Sequence, residues 1–130
     1  MARSHTELIA WQLAYEPKLG VYELIERGPI VRHYDLRDQL RRSAASAPRN
    51  IAGGFGRYLP DDFIRYLRIA NGELKETLEG LQDGCDRGCF TPDQVLPLQR
   101  LSKRAFKAST RLIAYLKTAT APGEPTRRRR

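Results

Sequence analysis

Between residues 63 and 81 the apolar side chains Phe63, Leu67, Ala70, Leu74, Leu78 and Leu81 recur every three or four positions, the spacing that lines one face of an α-helix. Such a stripe has to be covered by other elements. Pro60 opens this helix at a position where its missing N–H costs nothing, and Asp61 and Asp62 face the positive end of the helix dipole. Three further segments follow the same rule. Residues 5–27 place Leu8, Trp11, Tyr15, Tyr22 and Ile25 on one face, with Ser4 and Glu7 expected as a capping box, Pro17 as a kink and Gly28-Pro29 as the end. Asp35 is the expected N-cap of a helix reaching about residue 57, with Leu36, Leu40, Ala44, Ala47 and Ile51 inward. Gly84 and Gly88 frame a turn, after which Thr91-Pro92-Asp93-Gln94 gives a capping box for a helix carrying Leu98, Leu101, Ala105, Ala108, Leu112 and Tyr115 to about Thr118. No segment alternates like a strand. The expected fold class is all-α, an antiparallel up-down-up-down four-helix bundle over residues 1–119.

Composition limits what such a bundle does. The chain has 130 residues, 41% hydrophobic and 29% charged, enough for one core but too short for a catalytic domain with a second module. It has no run near the roughly 20 apolar residues of a membrane span and no signal-peptide core, so a cytoplasmic location without membrane contact is expected. Cys85 and Cys89 are then expected to be reduced thiols. They lie four apart without a nearby histidine, and His5 and His33 are isolated, so no zinc site is expected. Glu73, Glu76 and Glu79 lack the Glu-x-x-His pairs of bundle metal sites. No base stands near a candidate nucleophile. The chain is expected to be neither an enzyme nor a cofactor binder.

Charge points to polyanionic partners. Lysine and arginine number 23 against 15 acids, a net charge of +8, which favours RNA or DNA. Residues 120–130, expected to form a disordered basic tail, account for three of these charges, and residues 1–119 still carry +5. Between residues 94 and 119 there is no acid, while Arg100, Lys103, Arg104, Lys107, Arg111 and Lys117 give +6. Arg100, Arg104, Lys107 and Arg111 share one face and are candidates to track phosphates. Arg41, Arg42, Arg49 and Arg57 form a second basic set, and Arg65 and Arg68, with Lys75, a third. For these two sets, pairing with Asp38, Asp61, Asp62, Glu73 or Glu76, including across subunits, is the competing reading.

Pro48 leaves the Ala44 carbonyl without its helical donor, and Gly53 and Gly54 each cost about 1 kcal/mol against alanine. Close packing is the expected return. Asn50 is expected to bond a freed carbonyl or to reach across an interface.

The segments DQLRRSAASAPRNIAGGFGR, residues 38–57, and FIRYLRIANGELKETLEGL, residues 63–81, resemble the four-helix-bundle proteins encoded in intervening sequences of bacterial large-subunit ribosomal RNA genes. That family includes the accessory variability determinant of diversity-generating retroelements. The matching positions are Gln39, Leu40, Arg41, Arg42, Ala44, Ser46, Pro48, Asn50, Ile51, Ala52, Gly54, Ala70, Gly72 and Glu76. Gly53 replaces a usual glutamate, and Glu73 stands where a small hydroxyl residue is common, so a polar contact typical of the family is expected to be missing or moved. The resemblance implies a homo-oligomer, a five-membered ring, that binds nucleic acid without catalysis. The alternative it implies is an accessory factor that recruits a protein such as a reverse transcriptase.

Overall fold

The computed structural model describes residues 2–57 and 59–119 and contains four α-helices: α1 Ile9–Leu24, α2 Tyr34–Phe55, α3 Pro60–Asp86 and α4 Pro92–Ala119. Among the described residues there is no strand. Each helix packs against its neighbours in the chain, and α4 closes the ring on α1. Their directions alternate. A Cβ on Gly54, late in α2, would lie 2.7 Å from Phe63, early in α3, and one on Gly80, late in α3, would lie 2.7 Å from Leu40, early in α2. Gly20 near the end of α1 meets Leu98 near the start of α4 in the same way. The architecture is the expected up-down-up-down bundle.

The core divides into two clusters. One gathers Ala14, Ile51, Leu67, Leu74, Ala105 and Ile113, and the other Val21, Ile30, Leu36, Leu40, Leu81 and Val95. A polar layer separates them. Ser43 and Thr77, both buried, share a hydrogen bond of 2.9 Å, and the Thr77 hydroxyl also reaches the Glu73 carbonyl at 3.0 Å. Ser102 is fully buried on α4 between Leu98 and Ala105, and its small side chain lets that helix approach closely.

The helix boundaries follow local chemistry, with two corrections. Thr91 and Gln94 form the expected reciprocal box, the Gln94 amide N–H donating to Thr91 Oγ1 at 3.2 Å and the Thr91 N–H to Gln94 Oε1 at 2.8 Å. Gly88, at φ 78°, closes α3: the Cys89 N–H reaches the Gly84 carbonyl at 2.7 Å and the Gly88 N–H the Cys85 carbonyl at 3.0 Å, a Schellman end. The first correction concerns α1, which is shorter than the expected 5–27. Ser4 caps a separate 3-10 turn, His5–Glu7, by accepting from the Thr6 N–H, and the Glu7 carboxylate accepts from the Arg3 N–H, so the Ser4–Glu7 pair serves that turn. The second concerns Asp35. It lies inside the first turn of α2, whose N-cap is His33 with no side-chain cap bond.

The inward faces of α2 and α3 match the spacing, except that Leu78 is only half-buried. Those of α1 and α4 are rotated. On α1 the buried residues are Ala10, Ala14, Pro17 and Val21, while Trp11 and Tyr15 are half-buried and Tyr22 is exposed. On α4 they are Val95, Ser102, Ala105, Ser109, Ile113 and Leu116; Leu98, Leu101, Ala108 and Leu112 sit at the flank and Tyr115 is 64% exposed. On α4 the small residues Ser102, Ala105 and Ser109 face the core at mid-length, Val95, Ile113 and Leu116 face it nearer the ends, and the other large side chains lie at the seams.

The two leucines should therefore separate in denaturation. Leu74→Ala, at a site 2% exposed, is expected to cost about 2–5 kcal/mol, and Leu112→Ala, at the flank, under about 2 kcal/mol. Urea midpoints check this. Equal losses would contradict the rotated face of α4.

Candidate nucleic-acid interface

Helix α4 turns a row of cations outward. Because its buried stripe runs from Val95 to Leu116, the positions between fall on the opposite side, and Arg100, Lys103, Arg104, Lys107 and Arg111 are all exposed. None of these five forms an ion pair among the described residues, and α4 offers no carboxylate after Asp93 to compensate them. Arg100, Lys107 and Arg111 lie opposite the core, Arg104 leans toward the α1 side and Lys103 toward α3, by helical spacing. The row is about 17 Å long at 1.5 Å per residue.

The second basic set divides. Arg41 and Arg42 share the carboxylate of Asp38, at 3.2 and 3.5 Å. All three side chains are largely exposed, so these contacts contribute little to stability. Arg41, Arg42 and Arg49 line one side of a groove of about 520 Å³, Glu73 and Glu76 of α3 the other, and Tyr22 of α1 also borders it. Arg49 has no ion-pair partner among the described residues. Burial first, and then the charge of Glu76, push the Glu73 carboxyl above its usual range, while Ser46 and Arg42 pull it down.

Arg57 lies apart from this groove, at the end of the bundle where α2 gives way to α3. Its guanidinium donates to the Tyr66 hydroxyl and sits 4.8 Å from that ring, and Arg65 approaches the same ring at 5.0 Å. Arg65 also reaches Asp62 at 3.9 Å. Arg65 and Arg68 line a shallow hollow with Ile64, Ile69 and Lys117. The second set is thus split between the groove and the Tyr66 ring, where Arg57 joins Arg65 of the third, and the α4 row stands apart from both.

The irregular turn of α2 packs against α3. Pro48 is buried inside a continuous helix. Asn50 does not reach the Ala44 carbonyl that Pro48 frees; its amide donates instead to the carbonyl and hydroxyl oxygens of Ser46, both at 2.9 Å. Ser46 and Arg42 lower the pKa of the Glu73 carboxyl, and Ser46 and Glu73 line the same groove, so a carboxylate of α3 stands beside α2 there. Gly53 and Gly54 differ. A Cβ on Gly54 would lie 2.8 Å from the Tyr66 Cβ, so only glycine fits, whereas one on Gly53 would meet Tyr66 in ordinary contact at 3.4 Å. Glu76 is exposed, and Gly72, also exposed, has nothing within 4 Å of a Cβ position.

Two clusters escape the spacing analysis. Arg87, from the turn after α3, grips Asp35 bidentately at 3.2 and 3.1 Å and Asp83 at 3.0 Å. The Arg87 hydrogen bond holds the Asp35 carboxyl below its usual range. The partners lie 52 residues apart, a separation that local pattern cannot bridge. The second is an aromatic row on α1, where Trp11 and Tyr15 stack at 4.6 Å; its signal is the alternative small-residue stripe Ala10, Ala14, Pro17, Val21.

Among the described residues no three or more His, Cys, Asp or Glu side chains cluster to hold a metal, and no helix is long and apolar enough to cross a membrane. Cys85 and Cys89 are free thiols. The expected tail, 120–130, lies outside the described residues. The sequence model of the family described as 23S rRNA-intervening sequence protein matches residues 6–111, a span that takes in all four helices up to the last basic residue of the exposed α4 row. No curated protein matches the chain.

Glu73 supplies a test of the groove's electrostatics. A carboxyl with a raised pKa in the folded chain binds its proton more tightly when folded, so it favours folding at low pH and loses that contribution as the pH rises through the raised value. Removing the charge should therefore help most at neutral pH. The melting temperature of Glu73→Gln relative to the parent is expected to rise between about pH 4 and about pH 7, measured by circular dichroism. A difference that stays constant would contradict the assignment.

Proposed function

This chain belongs to the family of 23S rRNA-intervening sequence proteins, and we propose that it is a small, basic, nucleic-acid-binding homo-oligomer without catalytic activity. The observation that carries the reading is the exposed, unneutralised row Arg100, Lys103, Arg104, Lys107 and Arg111 on α4. Ordinary surface helices interleave both signs and so neutralise themselves. A row of cations kept free of carboxylates fits a polyphosphate, which gives up condensed counterions when it binds. Arg41, Arg42, Arg49, Arg57, Arg65 and Arg68 extend the basic surface, with the first two and Arg65 partly engaged by aspartates.

Assembly into copies of itself, five in the reading favoured by the family resemblance, is supported by the outer face of α3. Gly72 sits in mid-helix, where glycine costs about 1 kcal/mol against alanine, yet among the described residues nothing lies within 4 Å of where its Cβ would stand. Ile69, one turn earlier, is 41% exposed. A neighbouring subunit packed on this face would use both. A second reading, recruitment of a protein such as a reverse transcriptase, is favoured by the mixed charge of the groove, where Glu73 and Glu76 face arginines: a partner with both signs can pair with both walls.

Filter binding with RNA and with DNA separates these readings. Replacing Arg104, Lys107 and Arg111 together with glutamine is expected to leave folding intact, since glutamine keeps good helix propensity. Binding should weaken, and the log-log salt slope should fall by roughly 0.7–0.9 for each phosphate no longer neutralised. If deletion of residues 127–130 abolishes binding and the triple substitution changes nothing, the tail carries the affinity and the recruitment reading gains.

A further inference from the structure

Helix α1 and the turn before it carry an aromatic row that the α4 interface does not use, half-buried at Trp11, which packs against the core, and at Tyr15, and exposed at Tyr22. His5 meets Trp11 edge to face at 5.1 Å, Trp11 and Tyr15 stack at 4.6 Å with 19° between planes, and the Lys18 ammonium lies 5.3 Å from the Tyr15 ring centre and 5.7 Å from that of Tyr22. The helix buries Ala10, Ala14, Pro17 and Val21 instead and leaves Tyr22 39% exposed. Stability alone favours the reverse, because large rings gain most from leaving water. The acids Glu16 and Glu23 are seven residues apart and lie on another side of α1 by helical spacing. Tyr22 borders the groove that also holds Arg41, Arg42 and Arg49, whereas the groove's carboxylates, Glu73 and Glu76, come from α3.

We propose that this row is a stacking platform for the unpaired bases of single-stranded nucleic acid, with the neighbouring arginines of α2 holding its phosphates. The inference rests on the nucleic-acid reading above and adds the strand state that the bundle prefers. A duplex keeps its bases stacked on each other and offers a protein phosphates and groove edges, which suits the α4 row. A single strand can lay its bases on aromatic rings, a contact that tolerates any sequence because every base has a face. Lys18 bridges the Tyr15 and Tyr22 rings in the free protein. A base entering there displaces the ammonium, whose flexible four-carbon stem lets it turn to a phosphate, so the cation–ring contact is exchanged for stacking plus an ion pair.

Trp11 is the chain's single tryptophan, so its emission reports on this row. The full chain is titrated at low salt with a mixed-sequence single strand of about 20 nucleotides, a length within reach of one or a few binding sites, and with the duplex of the same sequence. Tryptophan emission is followed in one series and the anisotropy of end-labelled strands in the other. The single strand is expected to quench Trp11, and the duplex to bind without quenching. Tyr22→Ala is expected to weaken single-strand binding by about tenfold, in the range for losing one stacked base, with duplex affinity unchanged. Tyr15→Leu, which keeps apolar bulk without the ring, should do the same if Tyr22→Ala fails to fold. Binding of both strand forms with no quenching and no effect of either substitution overturns the platform and leaves the α4 reading standing. Failure to bind either form overturns both. A change in particle mass by light scattering, with strand affinity unchanged, assigns the row to contacts between copies and also overturns it.

Discussion

Two glycines, one toward each end of the α2–α3 pair, let these helices approach until neighbouring side chains fill the space where β-carbons would stand. At Gly54 the occupants are Phe63 and Tyr66, and at Gly80 they are Leu40 and Leu36. About one turn in from the Gly80 contact, the buried Ser43–Thr77 bond satisfies two hydroxyls that would otherwise be costly. With this pair fixed, α1 and α4 have limited room. They answer with alanine, serine and proline at the centre and with larger groups at the seams, which is why their faces are turned relative to the simplest apolar stripe.

The same constraint decides what reaches the surface. Turning α1 brings Trp11, Tyr15 and Tyr22 to the boundary with α2, and turning α4 holds its cations away from the acids of its neighbours. Several other arginines are engaged within the bundle: Arg87 takes Asp35 and Asp83, Arg41 and Arg42 take Asp38, Arg65 takes Asp62. These pairs lie at the surface and contribute little individually. The cations of α4 have no such partners and repel one another, a cost to the folded state. The proposed polyphosphate partner would offset that cost by neutralising the row.

Much of the fold was legible because α2 and α3 carry apolar stripes along most of their length and because Pro60 and the Thr91–Gln94 box mark helix starts. The faces of α1 and α4 were less so. Trp11, Tyr15 and Tyr22 and the set Leu98, Leu101 and Leu112 are large and correctly spaced, but Ala10 and Ala14 on α1, and Ser102, Ala105 and Ser109 between Val95 and Ile113 on α4, are equally well spaced and are the ones that face the core. Hydrophobicity alone cannot rank these stripes. The exposure of Arg100, Lys107 and Arg111 could be read from charge and spacing, since an acid-free basic row has nowhere inside to go. The groove that joins Arg49 to Glu73 and Glu76, and the Arg87 clamp, depend on which helices become neighbours, and a chain of local patterns does not contain that information.

The central claim is that fixed cations on the bundle bind phosphates. The most direct measurement is the affinity of the parent chain for a labelled RNA across a series of salt concentrations, with the chain ending at residue 119 measured beside it. Engagement of four or five α4 cations predicts log-log slopes of roughly −3 to −4, nearly the same for both proteins. Binding that is independent of salt, or confined to the chain that retains residues 120–130, would contradict the account.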